Sequence, residues 1–215
     1  MKTAFVIFDR LTAMDFIGAY DPLTRLKSMQ LMPGFEWDVC ALAADIADDK
    51  GLRITPGVVG EPLSKYDLIV VPGGFGTRTL QHDKTFIDWL RTSEPVKLKA
   101  SVCTGSLLLG AAGFLKDKRA TTHPSAFEEL KPYCARVVDE RVVDEGGVIT
   151  ARGVTSAIDL GLYLVERLAG AEARTRVAKQ MDYPYVWQAK QSGDGRANRT
   201  IEPTIPADRG KPRSG

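Results

Sequence analysis

One short run of the chain has the residue types for nucleophilic chemistry: Ala100-Ser101-Val102-Cys103-Thr104-Gly105-Ser106. An apolar strand over Leu98–Val102 ends there, and a cysteine follows at once. Small residues at Ser101 and Gly105 let the backbone turn sharply around it. A nucleophilic serine is presented on a strand-to-helix elbow by the same logic, here with sulfur in place of oxygen. The helix predicted from Gly105 to Gly113 aims unpaired N–H groups and the positive end of its dipole at the sulfur. That predicts a thiol with a lowered pKa. A buried cysteine is more often a small core hydrophobe. What favours reactivity is the position, because open α/β sheets bind ligands beyond the carboxyl ends of their strands.

Two further strand ends carry suitable groups. Pro72-Gly73-Gly74-Phe75-Gly76 closes the apolar run Asp67–Val71. Its glycines let backbone amides face a developing negative charge, so Gly74 and Thr104 are expected to form an oxyanion site. A phosphate loop is excluded, since neither Gly-Lys-Ser/Thr nor G-x-G-x-x-G occurs there. Asp15, in Met14-Asp15-Phe16-Ile17-Gly18, follows the first strand. It either caps the next helix or exchanges protons with the thiol. Of the two histidines, His82 lies in a polar segment, and His123 is placed to assist Cys103. The residue directly after Cys103 is Thr104, which disfavours a protease-like Cys–His pair. Two histidines and three scattered cysteines show no metal-ligand spacing. Cys40 and Cys134 are read as structural.

Strands are predicted at Thr3–Phe8, Trp37–Ala43, Asp67–Val71, Leu98–Val102, near Val137 and Val142, and at Val148–Ala151. Between them, helical spacing covers Asp15–Met29, the segment around Phe86–Leu90, Gly105–Gly113 and Ser125–Leu130. Thr155–Leu168 and Glu172–Met181 follow. Pro22 should lie in the first turns of its helix or break it. Glu145-Gly146-Gly147 predicts a hairpin turn. Near-continuous apolar strands separated by helices give an α/β fold, a mostly parallel central sheet with helices on both faces.

The 215 residues suit one domain, expected over 1–187, followed by a polar, flexible tail at 188–215. A net charge of +2 with no basic stripe gives no case for nucleic acid. No apolar run approaches the ~20 residues of a membrane span. An odd cysteine count without an export signal predicts a reducing, cytoplasmic setting.

These segments, with Gly110-Ala111-Ala112-Gly113, Arg119-Ala120-Thr121-Thr122-His123 and Gly153-Val154-Thr155-Ser156-Ala157-Ile158-Asp159, resemble the ThiJ/PfpI superfamily. Its fold is flavodoxin-like, of the class I glutamine amidotransferase type. Within it the pattern is most similar to the isonitrile hydratases. The resemblance covers about Thr3 to Tyr183. It implies Cys103 as nucleophile, Asp15 as general acid/base and Thr104 beside them, its hydroxyl fixing both. It places Gly73, Gly74, Gly18 and Val154 around the substrate. It also implies a homodimer that takes a small molecule and needs no cofactor. Arg152 departs from the glycine-rich loop expected ahead of Gly153, and a large cation there would reshape the pocket. Relatives acting on reactive dicarbonyls usually carry Glu in the first loop or His after the cysteine, so Asp15 and Thr104 count against that alternative. A redox sensor, or the ligand-sensing domain of a transcription factor, is the non-enzymatic alternative. The latter would need a recognition helix, and the tail offers none.

Overall fold

A computed structural model of the chain describes residues 1–185. The tail expected at 188–215 lies outside the described residues. In chain order the first elements are β1 (Lys2–Val6), α1 (Ala13–Ser28), β2 (Glu36–Ala41), β3 (Ile46–Ala47), β4 (Arg53–Ile54) and β5 (Val58–Val59). Next come β6 (Leu68–Val71), α2 (Thr77–Leu80), α3 (Lys84–Arg91), β7 (Leu98–Val102) and α4 (Gly105–Ala111). The last are β8 (Arg119–Ala120), α5 (Phe127–Leu130), β9 (Arg136–Val137), β10 (Val142–Asp144), β11 (Val148–Ala151) and α6 (Ser156–Gln180).

Seven strands form the central sheet in the order β10-β11-β7-β6-β1-β2-β5. Every pairing is parallel except β10 with β11. Their hairpin turns at Gly146, whose φ of 82° is open to glycine without strain. Residues of β1, β6, β7 and β11 are almost all buried, as strands covered on both faces must be. α1 and α6 pack together on one face, and α3 and α4 lie on the other. The chain passes from β1 to β2 on one side and later returns to β6 on the other. The crevice beyond the carboxyl ends of β1 and β6 is therefore the topological switch point, where α/β folds bind ligands. None of the described helices is long and apolar enough to cross a membrane.

Several elements differ from the sequence reading. Pro22 sits in the middle of a continuous α1 rather than at its start. Tertiary packing offsets the lost hydrogen bond: Pro22 is buried against Gly161 of α6, where a methyl group would come within 2.8 Å of the proline ring. The two final helices are joined and kink at Gly170, with φ 89°. The strand near Val137 lies outside the central sheet, in a two-stranded ladder with β8. The segment before Leu130 starts as a 3-10 turn, Pro124–Ala126. The β3–β4 hairpin and β5 were not anticipated. Each strand is two residues long, too short to show alternation.

Candidate active site

Four strand ends converge at the switch point. The β1–α1 connection brings Asp15, the β6–α2 loop brings Gly73 and Gly74, and the β7–α4 elbow brings Cys103 and Thr104. The β11–α6 loop, residues 152–155, closes the fourth side.

Cys103 sits on a strained turn, with φ 55° and a side chain only 6% exposed. A non-glycine residue there costs about 1–3 kcal/mol and persists only when its surroundings over-determine it. They do so here. Its N–H is shared between the carbonyls of Ala151 (2.9 Å) and Arg152 (2.8 Å). Its carbonyl accepts from the hydroxyls of Thr122 (3.0 Å) and Ser106 (3.2 Å). The elbow motif contains Ser106 and the segment Arg119–His123 contains Thr122, but nothing in their spacing signals that their hydroxyls hold the Cys103 carbonyl.

Asp15 is fully buried in the first turn of α1, but it is not the cap. Its Oδ2 crosses to the next loop and accepts from the Gly73 N–H at 3.0 Å. Its Oδ1 is buried with no hydrogen-bond partner. Gly73 is the point where the groups meet. A methyl group there would sit 2.6 Å from Thr104 N, 2.8 Å from Asp15 Oδ2 and 2.8 Å from Cys103 Cβ. Gly73→Ala should therefore force the carboxylate and the thiol apart. We expect turnover to fall at least ~100-fold, with about 1–3 kcal/mol of stability lost. A rate assay and thermal unfolding check the two effects separately.

The electrostatics overturn one expectation. Burial pushes the Cys103 thiol up to about 12, and the Asp15 charge adds to the rise. The Thr104 amide and hydroxyl pull the other way and lose. α4 has only seven residues, and its N-terminus cannot outweigh desolvation. Burial also pushes the Asp15 carboxyl up to about 7, against the Gly73 amide and the Cys103 thiol, and the Asp49 carboxylate adds to that rise. Thiol and carboxyl thus titrate as a pair, which holds one proton between about pH 7 and pH 12.

The expected oxyanion site is only half present. The Gly74 N–H donates to Thr104 Oγ1 at 3.0 Å, and that hydroxyl donates back to the Gly74 carbonyl at 3.2 Å. Gly74 therefore locks the elbow to the β6–α2 loop instead of facing a ligand. Its φ of 135° and the backbone of Arg10–Thr12, within 2.6 Å of an added methyl, require glycine. The Thr104 hydroxyl makes this lock and, together with the Thr104 amide, also acts on the sulfur.

The remaining predicted residues are placed as follows. Gly18 lies in the α1–α6 contact, where a methyl would meet Ala157 Cβ at 2.6 Å; it serves packing. Val154 is half-buried in the β11–α6 loop, next to the Arg152 carbonyl that holds Cys103. His123 pairs its Nδ1 with Ser125 Oγ at 2.8 Å and turns its ring edge to Gly153, beside the Arg152 that holds the Cys103 N–H. The Arg152 side chain forms an ion pair with the exposed Asp139 at 2.8 Å. Cys40 donates to Tyr66 Oη (3.2 Å) and Cys134 to the Leu130 carbonyl (3.6 Å). His82 is exposed.

Comparison with known proteins bears on the family and the fold. The sequence model of the DJ-1/PfpI family matches residues 1–167. An isonitrile hydratase of Pseudomonas putida is 35% identical over 185 residues, 85% of this chain and 78% of that protein. A glutathione-independent glyoxalase of Caenorhabditis elegans, DJR-1.2, is 29% identical over 135 residues, 61% of this chain and 72% of that one. Among solved structures, a ThiJ/PfpI family protein from Pseudomonas syringae superposes with a TM-score of 0.78 at 28% identity, covering 85% of this chain and 74% of the other. A parallel sheet with a strained cysteine at its switch point and a family match across most of its length lead to one assignment: the chain belongs to the DJ-1/PfpI family.

Proposed function

We propose that the protein hydrates isonitriles to N-substituted formamides through a covalent bond to Cys103. One observation carries this reading: the buried Asp15 carboxyl, held by the Gly73 N–H, and the buried Cys103 meet at Gly73, where burial raises both groups above their usual range. An isonitrile, R–N≡C, has its reactive carbon at the tip. Sulfur attack there places negative charge on that carbon, so a proton must arrive with it.

The pair supplies both. Asp15 takes the thiol proton, the sulfur bonds to the isonitrile carbon, and Asp15 delivers the same proton to that carbon. The product is a thioimidate, R–N=CH–S. Asp15, again a carboxylate, removes a proton from water as the oxygen attacks the thioimidate carbon, and passes that proton to the nitrogen. Collapse to the carbonyl breaks the C–S bond, gives the hydroxyl proton to the pair and releases R–NH–CHO. Two moderate steps replace one difficult hydration. The unpartnered Oδ1 of Asp15 is the atom available for both transfers, and the Gly73 N–H holds the other oxygen. The Thr104 amide steadies the thiolate as it forms.

A second reading is dicarbonyl chemistry, supported by the similarity to the glyoxalase. There the same pair would add sulfur to an aldehyde and move a proton between adjacent carbons. A redox-sensing role fits less well, since such cysteines are acidic and accessible, and this thiol is neither.

The proposal includes a single domain ending near residue 187, a cytoplasmic location and a homodimer. Met14 and Ile17, three residues apart on the outer face of α1, and Leu52 on the β3–β4 hairpin are large, apolar and exposed, which supports a partner surface. The deciding assay mixes purified protein with an aryl isonitrile and follows formamide by absorbance. Turnover establishes the reaction. Absence of turnover with an intact, alkylatable Cys103, together with turnover of methylglyoxal, would replace it with the dicarbonyl reading.

A further inference from the structure

The β11–α6 loop, residues 152–155, supplies the Arg152 carbonyl that accepts the Cys103 N–H at 2.8 Å, and with it part of what holds the strained elbow. The loop contains no helix or strand. It closes on the start of α6 through Ser156 N–H to the Gly153 carbonyl (2.8 Å) and Ala157 N–H to the Val154 carbonyl (3.1 Å). Arg141, directly ahead of β10, grips both of its ends. The Arg141 carbonyl accepts the Arg152 N–H at 3.0 Å. The guanidinium reaches the other end, where Nη2 donates to Thr155 Oγ1 at 3.2 Å. Its Nε donates to Asp159 Oδ2 in the first turn of α6. The Asp159 side chain is buried, and its Oδ1 accepts from Tyr183 Oη at 2.8 Å. Both carboxylate oxygens are thus engaged, and the guanidinium cannot swing away without leaving a buried charge unpaired.

We propose that Arg141 is a positioning residue of the site: its guanidinium braces the 152–155 loop against α6, so that the Arg152 carbonyl keeps Cys103 in its strained, shielded place. The inference rests on Cys103 as the reactive residue of the reading above, whatever reaction it performs. A planar fork suits this task. Nε and Nη2 leave the guanidinium in fixed directions, so one side chain engages Asp159 and Thr155 together. A lysine ammonium on a flexible stem would neutralise the carboxylate without fixing the direction to Thr155. Neutralising Asp159 and bracing the loop are therefore separable. When the loop moves, the Cys103 N–H loses an acceptor, and the elbow is free to relax from φ 55° and expose the sulfur.

The test is the rate of Cys103 alkylation by iodoacetamide on the folded full chain at a single pH, read by the mass of the Cys103 peptide. The wild type should react slowly, since the thiol is buried. Arg141→Lys keeps the charge beside Asp159 and should still react about fivefold faster, the size expected when one hydrogen bond that closes the loop is lost. Thr155→Val removes the same bond from the other side, at an exposed position, and should give the same gain. Combined, the two should gain no more than either alone, because they delete one interaction. Thr155→Val decides by itself if Arg141→Lys does not fold. Arg167→Met breaks the ion pair of α6 with Asp144 of β10, away from the loop, and should leave the rate at the wild-type value. Rates in Arg141→Lys and Thr155→Val equal to the wild type would overturn the assignment. So would gains that multiply in the double variant, or a gain of the same size in Arg167→Met, which would mark general loosening of α6. No isonitrile enters this measurement, so its failure leaves the hydratase reading standing, and failure of the hydratase assay leaves this result intact.

Discussion

Cys103→Ala is expected to abolish the proposed isonitrile turnover, with a loss of at least ~10⁴-fold, the scale on which removal of a covalent nucleophile acts. The fold should survive. Alanine keeps the β-carbon and meets the same φ of 55° that cysteine tolerates. The hydrogen bonds that hold the elbow come from Ala151, Arg152, Thr122 and Ser106, and none uses the sulfur. The lost atom leaves a small cavity worth about 1 kcal/mol. Thermal unfolding would then show a modest shift beside a complete loss of rate. Cys103→Ser should be nearly as inactive. Asp15, at about 7, is too weak a base to deprotonate an alcohol, whereas a thiol at about 12 lies within reach. Turnover retained in Cys103→Ala would mean that Asp15 activates water directly, and the thioimidate would have to be abandoned.

The same residues show how far local sequence carries the argument. β1, β6 and β7 were legible because strands buried on both faces need continuous apolar runs, and Leu68-Ile69-Val70-Val71 has no other sensible reading. The elbow was legible because Gly105 must admit the carbonyls of Val71 and Pro72, which a methyl there would meet at 2.3 and 2.6 Å. The sequence therefore located the cysteine, the acid and the glycine loop. It misjudged how they are tuned. The helix-dipole argument for an acidic thiol used only residues adjacent to Cys103. The opposing effect is desolvation by segments distant in sequence, among them α1 and the loop at Gly73, and no local pattern reports its size. The Gly74 amide was misassigned for a related reason. Whether an N–H faces a ligand depends on what else reaches it, and Thr104 Oγ1 does so from 30 residues away. Pro22 and the β3–β4 hairpin belong to the same class. Each is fixed by a tertiary partner, Gly161 in one case and the Asp9–Thr12 loop in the other.

Asp15→Asn separates the acid from its setting. Asparagine can still accept the Gly73 N–H through its carbonyl oxygen, so the loop and helix keep their contact. It has no proton to exchange, and the rate should fall by ~10²–10⁴-fold. The pH profile should change as well. The wild type needs one proton on the pair, so its activity is lost as pH falls through about 7 and both groups become protonated. In Asp15→Asn that inflection disappears. Stability should move in the opposite direction to activity. The carboxyl is raised from 3.8 to about 7 on folding, so between those values the folded chain retains a proton that the unfolded chain has released. Wild-type stability therefore declines as pH rises above about 4, and the full cost is present above about 7. A rise of that size corresponds to roughly 4 kcal/mol at most. Asp15→Asn removes this cost, so it should be more stable than the wild type at pH 8 by up to that amount, and equal to it near pH 4. Thermal unfolding at the two pH values checks the sign. A variant that is slower yet more stable only at alkaline pH would identify Asp15 as a buried acid held against its ionisation. A variant less stable at both would reduce it to a hydrogen-bond partner of Gly73, and the proton-sharing pair would fail.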